Sequence, residues 1–122
     1  MYSKASLEEI DAREIDGVQP QLKAVGYELQ PEKMRPSVWL FDEGESNNRH
    51  WQREQEELYY VIKGSVMMEV DDEEIALAES DFVVVSPDAW RQITALEPST
   101  IFAIGVPNVE DDAVTDEEPP SE

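Results

Sequence analysis

The chain has 122 residues, no cysteine, 29 acidic and 9 basic residues, and a formal charge of −20. That length fits one domain with a core of its own, and the missing cysteines exclude a disulfide framework or a thiolate metal site. The absence of any Lys/Arg cluster argues against binding nucleic acid, and no apolar run approaches the roughly 20 residues a membrane span needs.

Ser6-Leu7-Glu8-Glu9 has the spacing of a capping box before Ile10, which predicts one short helical turn ended by Gly17 and Pro20. From there to Pro107 no second helical period occurs. Short apolar or alternating runs predict strands at Leu22–Leu29, Ser37–Phe41, Glu57–Lys63, Ser65–Val70, Glu74–Ala78, Phe82–Val85, Arg91–Ala95 and Thr100–Val106. Asp71-Asp72 marks a hairpin without the usual glycine. Glu54-Gln55-Glu56 reads as a solvated loop. Seven or eight short strands at this spacing give an all-β sandwich or small barrel. Residues 1–21 read as an N-terminal arm, 22–108 as the barrel and 109–122 as an acidic flexible tail.

That tail carries seven acids and Pro119-Pro120, too little apolar surface to offset its ordering entropy. Without these seven, 22 acids still face 9 bases, a charge of −13. Acid spread this evenly is tolerated where salt screens it, so the expected setting is a salt-adapted cytoplasm. The absence of an N-terminal basic-then-apolar pattern points the same way.

The chemistry concentrates around the only histidine. Gly44, His50, Glu57 and Gly64 recur with the spacing Gly, five residues, His, six, Glu, six, Gly, and Gln52 stands two residues after His50. This stretch resembles the first motif of the cupin superfamily, with Gln52 where a second histidine would stand. Ser80, Ser86, Asp88, Arg91 and Ala95 occupy the register of the second motif without keeping its signature residues. Asp81, Pro87 and Gln92 and the Phe82–Val85 strand preserve its surroundings. The 15 residues between Gly64 and Ser80 suit a short-loop cupin, and the resemblance, to a small haloarchaeal-type cupin, covers about residues 37–107.

The resemblance implies a cupin-type double-stranded β-helix (jelly-roll) barrel, commonly a homodimer, with its site inside. Alternation then places Glu57, Tyr59 and Val61 on the inner face. The ligand-binding candidates are His50, Gln52, Glu57, Tyr59 and Arg91. In metal-dependent cupins the corresponding positions hold a divalent transition metal, which would fall here to His50, Gln52 and Glu57. Arginine at position 91 has no lone pair to offer. It is expected to pair with Glu57 in the metal's place, giving a cupin that binds an unidentified small molecule without a redox metal. Alternatively, its fork holds a small anion in the cavity. A metal-dependent dioxygenase or isomerase using His50, Gln52 and Glu57, a metal-free acid–base enzyme using His50 and Glu57, and a scaffold are the other readings. Trp51 and Trp90 are expected to point away from His50 and Arg91, packing against the other sheet or a dimer partner.

Overall fold

A computed structural model describes residues 1–120. The chain runs through a 3₁₀ turn (Leu7–Glu9), then β1 (Ala12–Ile15), β2 (Val18–Lys23), α1 (Val25–Leu29), β3 (Arg35–Phe41), β4 (Trp51–Gln52), β5 (Glu56–Lys63), β6 (Ser65–Val70), β7 (Glu73–Ala78), β8 (Phe82–Val85), β9 (Arg91–Ala95), β10 (Ser99–Val106) and β11 (Ala113–Val114). All pairing is antiparallel. One sheet has the order β1-β2-β3-β10-β5-β8, a second the order β7-β6-β9, and β11 pairs with β4. The two larger sheets face each other over Phe41, Tyr59, Val61, Val66, Met68, Val85, Ile93 and Ile101. This is the jelly-roll that the resemblance implied, and it agrees with the all-β sandwich or small barrel expected from the alternating runs.

Turn chemistry closes the barrel. Asp71 takes the left-handed backbone (φ 50°) that glycine usually supplies to a two-residue hairpin, and its carboxylate accepts the Trp90 amide at 3.0 Å. Gly64 (φ 94°) has a second reason to be glycine, since a Cβ there would lie 2.6 Å from Pro98 O.

The ends of the chain depart from expectation. The run predicted as one strand, Leu22–Leu29, breaks after Lys23. Val25–Leu29 is a short helix ended by Gln30 in the left-handed region, and its Gly26 packs against Pro36 of β3. Strand β1 was not foreseen because Ala12–Ile15 is too polar to alternate. The N-terminal turn forms at Leu7–Glu9, but the Ser6 side chain does not cap it.

The acidic segment is the larger departure. Asp112 and Val114 are buried, Ala113–Val114 adds a strand to β4, and Asp112 accepts the amides of Glu54 and Gln55 at 2.8–3.1 Å. Trp51 donates to Glu117 O at 2.7 Å, and Trp90 donates to the Glu118 carboxylate at 3.2 Å. The two indoles are therefore hydrogen-bonded to the chain's own C-terminal segment. The physical reason is that two exposed indoles and two unpaired amides give this segment partners that its own composition does not reveal. Ser121 and Glu122, the end of the expected tail, lie outside the described residues. Glu54-Gln55-Glu56 is likewise not a solvated loop throughout: Gln55 is buried and Glu56 begins β5.

Candidate functional site

The site forms where the two motif segments are stitched together. His50 and Arg91 exchange backbone hydrogen bonds (Arg91 N to His50 O, 2.8 Å; His50 N to Arg91 O, 3.0 Å), although His50 lies outside any regular strand. Gln52 N donates to Pro87 O at 2.7 Å. These bridges bring His50, Gln52 and Arg91 over the inner face of β5, from which Glu57 and Tyr59 project. The five candidates from the sequence thus converge.

Their geometry centres on one oxygen. Glu57 Oε1 accepts the Tyr59 hydroxyl at 2.5 Å, faces Arg91 Nη2 at 3.2 Å and lies 3.6 Å from His50 Nε2. Among the described residues no protein donor reaches Glu57 Oε2, and Glu57 lines the cavity. Burial would raise the Glu57 pKa. The interactions from His50 and Tyr59 and the Arg91 charge outweigh it and hold the carboxyl below its ordinary value. Burial, and next the Glu57 charge, push the Tyr59 phenol well above its ordinary value, so it remains a donor.

Arg91 is fully buried. Its Nη1 donates to Pro87 O (2.9 Å) and Ala89 O (2.6 Å), which aims Nη2 at Glu57. It does not line the cavity, so the geometry gives its charge to Glu57 and not to an anion in the cavity. His50 Nδ1 lies 2.8 Å from Asn48 O. A carbonyl only accepts, so Nδ1 carries a proton and Nε2 faces Glu57.

The cavity has a volume of about 850 Å³ and is partly open to solvent. Its depth follows from small residues on one wall. Across β5, β10 and β3, Tyr59 lies in register with Ala103 and Ser37, and Glu57 with Gly105 and Arg35. The first row leaves an open floor. In the second, the carboxamide of Gln55 lies over Gly105, where a Cβ would come within 2.8 Å of it. Trp39, Phe41, Ile93 and Ile101 supply apolar walls. Sequence reading missed Gln55, Asn47 and Arg35 as cavity residues. Alternation along β3 could have pointed to Arg35, which shares a face with Ser37, Trp39 and Phe41, but Gln55 and Asn47 lie on loops without a period.

The donor set was tested against a transition metal. His50 Nε2 and Glu57 are near enough to share an ion, and Gln52 Oε1 is buried without a partner. Against this, no group of three His, Cys, Asp or Glu side chains able to hold a metal occurs among the described residues. Glu57 is also already the counter-ion of a buried guanidinium. A dication 4 Å from that guanidinium meets a repulsion of roughly 8 kcal/mol at an effective dielectric near 20. The residues present do not fit a resident divalent metal.

The family described as Cupin domain matches residues 37–105, more than half of the chain. The chain belongs to the cupin family. The match runs from within β3 to within β10 and contains His50, Gln52, Glu57, Tyr59 and Arg91. No curated protein matches the sequence. Among solved structures, this cupin is similar to KdgF from Halomonas sp. (20% identity, TM-score 0.77, covering 91% of this chain and 98% of that one). It is also similar to an RmlC-like cupin from Shewanella frigidimarina (19% identity, TM-score 0.76, 91% and 98%). Oxalate decarboxylase from Bacillus subtilis matches with 20% identity and TM-score 0.74 over 93% of this chain, which spans 31% of that larger protein. At these identities the likeness is one of fold. No helix among the described residues is long and apolar enough to cross a membrane.

Proposed function

We propose that this cupin binds a small molecule inside its barrel without a resident redox metal. The observation that carries this reading is Glu57. One of its oxygens accepts the Tyr59 hydroxyl and faces the Arg91 guanidinium at 3.2 Å, with His50 Nε2 3.6 Å away; the other receives no protein donor among the described residues, and Glu57 lines a cavity of ligand size. Arg91 supplies the positive charge that a metal would bring, so the carboxylate is neutralised from behind and presented as an oriented acceptor. Gln52, whose side-chain amide makes no hydrogen bond among the described residues, offers a second polar contact. In this reading Glu57 accepts a ligand hydroxyl or amide proton, Tyr59 and Arg91 hold the carboxylate, and the apolar walls exclude water.

The test is fragment binding followed by backbone NMR in molar KCl. Hydroxylated fragments should shift the amides of Gln52, Tyr59 and Ala103 together, and Ala103→Leu, which fills the floor, should weaken those hits by about tenfold or more. Hits scattered over the surface, or unchanged in A103L, would contradict the reading.

A further inference from the structure

We infer that the cavity takes an elongated monocarboxylate, with its carboxylate on Arg35 and a hydroxyl at the Glu57 end. The inference rests on the cavity being a small-molecule site and adds the class of molecule.

The starting point is where this acidic chain places its arginines. There are five. Arg49 pairs with Glu69, Arg53 with Glu117 and Arg91 with Glu57. Arg13 and Arg35, both exposed to solvent at the rim, have no carboxylate within ion-pair distance among the described residues, and both line the cavity. With 29 acids available, two unpaired guanidiniums on one cavity are a specific arrangement, while the unpaired lysines lie outside it.

Arg35 is also positioned. Its Nη1 donates to Asn108 Oδ1 at 3.4 Å, and Asn108 Nδ2 is anchored on Pro31 O at 3.0 Å. The remaining donors of its fork are unoccupied, which is the geometry a carboxylate takes. Arg13 lies further along the inner face, in the row Arg13, Leu22, Trp39, with its guanidinium 5.7 Å from the Tyr27 ring centroid.

Register sets the length of the molecule. Gly105 pairs with Glu57 on one side and with Arg35 on the other. The two residues are therefore two strands apart, about 10 Å between backbones. Glycine at the middle position leaves the path between them to the flat carboxamide of Gln55, held by Pro107 O and Val109 O. Charge sets the sign. Arg91 is matched by Glu57, which leaves Arg35 and Arg13 as the cationic end of the cavity, and the single planar fork of Arg35 matches one carboxylate.

The experiment is calorimetric titration with three matched pairs: 4-hydroxybutyrate, 6-hydroxyhexanoate and 4-hydroxyphenylacetate, each against its primary amide. The protein is the wild type, Arg35→Gln, and Arg49→Gln as a control outside the cavity. At least one acid is expected to bind the wild type and R49Q about tenfold or more tighter than its amide, the scale of a charge-assisted hydrogen bond. R35Q should bring the pair within about twofold. Acid and amide binding alike would overturn the inference while leaving the cavity as a small-molecule site. A preference that survives in R35Q would overturn it too. No binding by any acid or amide counts against both readings.

Discussion

Glu57→Gln should destabilise the protein by roughly 3–5 kcal/mol at neutral pH, because it strands the Arg91 guanidinium without a counter-charge in a fully buried position. Glutamine keeps the volume, so the loss reports charge and not packing. For a domain of this size each kcal/mol moves Tm by about 3–5 °C, so the melting temperature should fall by at least about 10 °C. Removing both charges, Glu57→Gln with Arg91→Met, should restore most of it, since a buried ion pair is costly to break but cheap to replace with apolar bulk. The pH dependence has a defined sign. Glu57 has a folded pKa below its ordinary value, so its stabilisation is complete above the unfolded carboxylate range near 4.3–4.5 and disappears as pH falls through the lower folded value. The gap between wild type and E57Q should therefore be constant from about pH 6 to 8 and narrow in acid. Denaturant unfolding across that range checks it. A gap under about 1 kcal/mol at pH 7, or one that widens in acid, would refute the Glu57–Arg91 account.

Asp112→Ala should cost about 2–4 kcal/mol, a large effect for a residue in a segment that composition marks as solvated. Its carboxylate holds two backbone amides, Glu54 N and Gln55 N, at 2.8–3.1 Å, and Gln55 is buried. Without that acceptor the two donors lose charge-assisted bonds, and β5 loses the anchor of its entry loop. Asp112→Asn keeps one acceptor oxygen and should recover part of the loss. Hydrogen exchange at the Glu54 and Gln55 amides should accelerate in D112A more than at amides of β6. Unchanged exchange and a stability change under about 0.5 kcal/mol would show that the C-terminal segment contributes nothing to the fold.

Much of the barrel was legible in the sequence because alternation is a property of each strand alone. Ser37–Phe41, Ser65–Val70, Phe82–Val85 and Arg91–Ala95 fall within or on the observed strands. The resemblance carried by Gly44, His50, Glu57 and Gly64 likewise implied which residues meet at the cavity, and the pairing of Arg91 with Glu57 followed from its motif register and the chemistry of arginine. What failed to show depends on partners remote in sequence. The order of 112–118 comes from Trp51, Trp90 and two amides that lie 28 to 66 residues earlier, so no window of local composition contains it. Gln55 looks like one residue of a charged loop until Gly105 leaves room for its side chain. Val25–Leu29 became helical because it caps β3 beside Pro36, a tertiary choice that overrides a short ambiguous run.

The central claim is that Arg91 occupies the electrostatic place of a metal, and metal content tests it most directly. The protein would be purified in molar KCl without chelator and without a nickel column, then subjected to elemental analysis. The account predicts Fe, Mn, Ni, Zn and Cu together at less than about a tenth of an ion per chain, because a dication beside a buried guanidinium is repelled by several kcal/mol. A near-stoichiometric transition metal, lost together with ligand binding in Glu57→Gln, would contradict it. That result would mean that Arg91 leaves Glu57 and that His50, Gln52 and Glu57 hold the ion.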